Sequence, residues 1–190
     1  MRATGAVMTA AMLLLVGGCQ KKEAAHTIND TMAQVMEPSA ELIWDLMSKA
    51  YNDKGDALDA AKLTEADWAK IAEASAKMQA RAQELFDAEH HVVTAEGVPI
   101  LGSQAVGQPS PPGADWAAVS AKTVQERIDA KPALFKEKAK VLLDAANDLN
   151  RAARGKDIVL LYRTGSELDE VCDGCHEPFW GTDVPPPFPK

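Results

Sequence analysis

The chain has 190 residues, 46% of them hydrophobic and only 5% aromatic, and its 20 basic and 28 acidic residues give a formal net charge of −8 and a pI of about 5.0. That length predicts one domain burying about two-thirds of its unfolded surface, and the abundance of Ala, Leu, Glu, Lys and Asp favours helix over sheet. An acidic chain without a basic cluster excludes nucleic acid and a basic membrane-surface patch, and three cysteines are too few for a disulfide scaffold.

Residues 1–18 read as a cleaved export signal. Arg2 and the amino terminus supply the positive start, and 6–16 form an apolar stretch centred on Met12, Leu13, Leu14 and Leu15, too short to span a bilayer permanently. Its end, Val16-Gly17-Gly18-Cys19, resembles a bacterial lipobox, in which the cysteine is lipidated and becomes the first mature residue; the alternative is a secretory signal cleaved nearby with Cys19 unmodified. Several acyl chains on Cys19 would anchor stably, since each buried methylene contributes about 0.8 kcal/mol. Gln20 after the cysteine resembles the outer-membrane-directed pattern, so the expected location is the periplasm, with 19–26 as a lipidated tether on the outer membrane.

Four helices and a long loop follow. A first helix is predicted over 27–50, with one apolar stripe of Ile28, Met32, Val35, Leu42 and Leu46 and a second of Met36, Ala40, Ile43 and Met47. Pro38 should kink or restart it, and Asn52 to Gly55 make a turn. Thr64 to Asp67 resembles a capping box opening a second helix, whose seam of Trp68, Ile71, Ser75, Met78, Ala82 and Leu85 fades at Glu89-His90-His91. His90 and His91 are expected to be solvated. Residues 96–114, rich in Gly and Pro, form a loop that is a crossover, a lid over a cofactor or a surface excursion. A segment at 115–129 looks helical, and Pro132 sits where a first-turn proline starts the third long helix. Its stripe is Leu134, Phe135, Ala139, Leu142, Ala146, Leu149 and Ala153, stopped by Gly155. The last helix runs from Asp157, and its buried seam of Ile158, Leu161, Gly165, Leu168, Cys172 and Cys175 places both cysteines inward. The tail 181–190 is proline-rich and extended.

Near the end of that helix stands Cys172-Asp173-Gly174-Cys175-His176, a CxxCH sequence. Two thiols on one helical turn can each form a thioether to one of the two vinyl groups of a haem, and the next residue, His176, then supplies the imidazole that ligates the iron. A redox dithiol belongs at a helix N-terminus, and a zinc site needs further ligands, for which only His26, His90 and His91 remain, all distant in the chain. The count fits one thiol for lipid and two for haem c.

With these residues in view, the sequence resembles the cytochrome c′ and cytochrome c-556 family, the class II c-type cytochromes, over nearly the whole mature chain. That resemblance implies an all-α fold, an antiparallel four-helix bundle over 27–180 with one haem held covalently near the end of the C-terminal helix. It aligns Cys172, Cys175 and His176 with the haem-attachment residues. It also places Met32 at the sixth iron position, with Met36 one turn on as the fallback; family members with an apolar residue there leave the iron five-coordinate. Where the family often has a basic residue four positions after the histidine, this chain has Trp180, after Phe179 in the usual aromatic place.

The expectation is therefore a non-enzymatic periplasmic monohaem cytochrome carrying single electrons through a Met/His-ligated iron. It would exchange them with redox partner proteins, anchor to the membrane through Cys19 and form a possible homodimer. The alternatives are a five-coordinate protein binding nitric oxide or carbon monoxide, and a lipoprotein whose haem is only a folding staple.

Overall fold

The computed structural model describes residues 26–100 and 119–181. The export signal, Cys19, the tether to residue 25, the loop and helix start over 101–118, and the tail 182–190 lie outside the described residues. The described chain is all-α, 77% helical with no strand; a single antiparallel bridge joins Tyr51 and Leu58.

The first helical stretch is continuous but changes pitch. α1 (Ile28–Thr31) starts on Thr27, whose hydroxyl accepts the Asp30 N–H. One π-helical turn (Met32–Met36) follows, and α2 (Glu37–Ala50) carries Pro38 in its first turn. Pro38 thus widens the turn ahead of it instead of breaking the helix. It has no N–H and its ring crowds the carbonyl four residues back, so a turn in which Glu37 N–H reaches the Met32 carbonyl accommodates it. Met36, Ala40, Ile43, Leu46 and Met47 are buried on this stretch, whereas Ile28, Met32, Val35 and Leu42 are half-buried.

α3 (Glu65–Asp87) opens on a reciprocal capping box: Thr64 Oγ1 accepts the Asp67 N–H, and Asp67 Oδ2 accepts the Thr64 N–H. All six seam residues from Trp68 to Leu85 are buried. α4 (Ala121–Ala130) begins later than the sequence pattern suggested. Ser120 is its N-cap and accepts the Thr123 N–H, a role serine fills better than a helix interior. Pro132 opens α5 (Pro132–Gly155), but the left-handed residue that ends it is Lys156 (φ 52°), with Gly155 the last helical residue. Asp157 accepts from the N–H groups of Val159 and Leu160 at the start of α6 (Ile158–Trp180).

The long helices alternate in direction. Lys156 pairs with Glu65 at one end of the α3–α5 contact and Lys136 lies over the Phe86 ring at the other, so these two run antiparallel. α2 and α6 are also antiparallel, because Tyr51 meets Tyr162 and Trp44 donates its indole N–H to the Gly165 carbonyl at 2.9 Å. One core joins α2, α3, α5 and α6 around Ile43, Ile71, Met78, Leu149, Leu161 and Leu168. A smaller cluster of Val93, Val119, Val124, Ile128, Phe135 and Phe179 forms separately. No described helix is long and apolar enough to cross a membrane.

Candidate functional site

α6 carries Cys172, Cys175 and His176 on two successive turns of its C-terminal half. Its seam is fully buried at Leu161 and Leu168, then opens: Val171, Cys172, Cys175 and His176 are all half-buried. Both cysteines thus pack on apolar clusters, but they are half-buried where the seam reading expected them buried. The reason is that α6 here passes between two apolar clusters, with Cys172 packed on the main core and Cys175 on the smaller one. Gly174 leaves this turn without a side chain, and Lys138 of α5 approaches it, its Nζ 3.9 Å from where a Cβ would stand.

Both thiols are unbridged. Burial pushes each up to about 11; Asp169, Cys175 and Asp173 add to the rise at Cys172, while the Lys138 ammonium opposes it at Cys175. At neutral pH both are S–H groups, the opposite of the thiolate that a redox dithiol uses. Their place at the C-terminal end of α6 also denies them the favourable end of the helix dipole. Burial lowers the pKa of His176, with Asp173 and Glu37 acting against that shift. Its ring stands edge-on to Trp180, centroids 5.3 Å apart at 88°.

Among the described residues no three His, Cys, Asp or Glu side chains converge as a metal cluster. His26 and His90 are exposed. His91, expected to be solvated, is instead half-buried against Phe135, ring centroids 4.4 Å apart, and burial lowers its pKa.

The sequence reading missed how the α6 end is held. Val92 and Val93, taken only as the end of the second helix pattern, accept the N–H groups of Ile28 and Asn29 at 2.8 and 3.0 Å, satisfying donors that the start of α1 leaves unpaired. Gln125 of α4 bridges this strap, donating to the His91 carbonyl and accepting the Val93 N–H. Two positions on, Arg127 donates from Nη1 to the carbonyls of Phe179 and Gly181 at 3.3 and 2.6 Å. Val124 and Ile128, four apart, were the available signal that this short helix has a core face.

Charge is also distributed unevenly. Glu167, Asp169, Glu170, Asp173 and Glu177 are exposed on α6 with no Lys or Arg between Thr164 and Trp180, and among the described residues none of the five is in an ion pair. On α3 and α5, by contrast, Glu73, Glu84, Asp144 and Asp148 all face a Lys or Arg three or four residues away. The α6 acids around the CxxCH turns thus form one unbalanced stretch of the acidic excess. Two cavities, of about 610 Å³ beside Val93–Ile100 and α4 and about 380 Å³ between Trp44 and Gly165, do not include Cys172, Cys175 or His176.

Met32 and Met36 lie on the helix antiparallel to α6. Met47 meets Gly165, and carrying that register eleven residues along each helix sets Met36 level with His176. Met32 lies four residues further out, at the other end of the π-helical turn. Both pack on the main core, Met36 fully buried and Met32 partly.

The chain was compared with protein-family models, curated proteins and solved structures, and none matches. The donor set therefore has to be judged on its own chemistry. Two protonated thiols on one turn, a neutral-leaning imidazole next to them and a half-open apolar seam fit covalent haem attachment. They fit a redox dithiol or a zinc centre poorly.

Proposed function

We propose that this chain is an exported monohaem c-type cytochrome that carries single electrons in the periplasm, with a four-helix bundle of the cytochrome c′/c-556 type. One observation carries the reading: Cys172, Cys175 and His176 follow one another on α6 at the point where its buried seam opens between two apolar clusters. When bound, the haem supplies one-electron exchange between ferric and ferrous iron.

The residues of the chain do the rest. The Cys172 and Cys175 thiols would hold the group as thioethers. His176 would offer one ring nitrogen to the iron, its ring perpendicular to that of Trp180. A sulfur of the facing helix would complete the iron's ligands, Met32 by the resemblance or Met36 by the helix register. A thioether together with an imidazole would favour ferrous iron and raise the reduction potential. The unpaired acids of α6 favour cationic redox partners, whose encounter they would steer. Lipidation of Cys19 would hold the protein on the outer membrane.

Acid-acetone extraction of the purified protein tests this. The reading expects the haem to stay with the polypeptide, and to be lost when Cys172 and Cys175 are both changed to Ala. Full extraction from the wild-type chain would overturn it.

A further inference from the structure

The C-terminal end of α6 is electrostatically unfavourable by its own sequence. Its last turn has no basic residue, and Asp173 and Glu177 set negative charge where the helix dipole is already negative. Pro178 removes a further backbone donor, leaving the Gly174 carbonyl without its usual partner. The compensating charge comes from another helix. Arg127 of α4 donates to the carbonyls of Phe179 and Gly181, and the Gly181 N–H in turn donates to the His176 carbonyl at 2.9 Å. The guanidinium is thereby fixed two hydrogen bonds from the backbone of the histidine. It is half-buried, on a helix whose Val124 and Ile128 are buried in the same cluster as Phe179, so it is not a freely moving surface charge.

We propose that Arg127 is the positioning residue of the His176 end and sets the charge felt by the iron that His176 would ligate. This rests on the functional reading above. The charges around His176 are of both signs: Asp173 and Glu37 act on the imidazole, Lys138 stands over the Gly174–Cys175 turn, and Arg127 closes the end. A cation held there opposes the extra positive charge of ferric iron, so it favours the ferrous state. The same two hydrogen bonds keep the α6 terminus from fraying and hold Trp180, whose ring stands perpendicular to the imidazole.

The test compares holoprotein variants by redox titration and by melting temperature. Arg127→Gln keeps amide donors for the two carbonyls and removes the charge, so the midpoint potential falls while covalent haem remains. Arg127→Lys keeps the charge, and its potential stays at the wild-type value. Lys77→Gln, which removes an exposed α3 charge paired with Glu73, leaves the potential unchanged. An unchanged potential in Arg127→Gln with haem attached overturns the proposal. If that variant is too unstable to titrate, a lowered potential in Arg127→Lys overturns it instead. Absence of covalent haem from the wild-type protein is a different result: it removes the functional reading on which the proposal stands.

Discussion

Met47 Sδ occupies the space that any side chain at position 165 would enter, so α2 and α6 meet through a glycine backbone. Trp44 completes the contact by donating its indole N–H to the Gly165 carbonyl at 2.9 Å. This crossing sets the register of the two helices that flank the candidate haem site.

Gly165→Ala should therefore destabilise the protein. Overpacking costs about 1–3 kcal/mol, against the roughly 1 kcal/mol that alanine gains over glycine in a helix. Met47→Ala removes the obstructing sulfur but costs about 2–5 kcal/mol as a cavity. Denaturant unfolding of the double variant should show less loss than the sum of the two single losses. Strict additivity would mean the two side-chain positions do not compete for space.

The N-terminus of α3 gives a pH prediction. Asp67 accepts from Lys49 Nζ at 2.6 Å and from Thr64, and these bonds, the Lys49 one first, hold its carboxyl well below the usual value of 3.8. A depressed folded-state pKa contributes stability that is fully present above the unfolded value and is lost as pH falls toward the folded one. Melting temperature should thus drop as pH falls below about 4, less steeply in Asp67→Asn than in wild type. Thr64→Ala should cost about 1 kcal/mol at neutral pH through loss of the cap.

Much of this architecture was legible in the sequence. The seam from Trp68 to Leu85, the Thr64 cap and the Pro132 start are local signals, and local signals survive into the fold. The left-handed turn at Lys156 was not legible, because glycine at 155 was the cheaper candidate for positive φ and the helix simply runs one residue further. The clamp on the end of α6 was hidden for another reason: Arg127 and Phe179 lie 52 positions apart, and a side chain bonded to a remote carbonyl leaves no periodic trace. The CxxCH turn itself was fully legible, whereas its half-open environment depends on two clusters assembled from distant segments.

The same remoteness applies to the sixth ligand, which variants can assign. In the register fixed by Met47 and Gly165, Met36→Ala should abolish the near-red sulfur-to-iron absorption band and Met32→Ala should leave it intact. The reverse pattern would show that the helix slides by about a turn around the haem, with Met32 at the iron.

The proposed haem would also contribute to the core. Cys172→Ala with Cys175→Ala should yield a chain of reduced helicity and lower melting temperature, since the half-buried seam would lose the large apolar group proposed to cover it. Circular dichroism that matched wild type at every temperature would contradict the proposal that haem belongs to the fold.

The most direct test of the central claim is the absorption spectrum of the purified protein, ferric and ferrous, with and without carbon monoxide. The account predicts a haem spectrum with a near-red sulfur-to-iron band in the ferric form and no shift on adding carbon monoxide to the ferrous form. A high-spin ferric spectrum with prompt carbon monoxide binding would contradict Met/His ligation and electron transfer, and would put a gas-binding protein with an open distal site in its place.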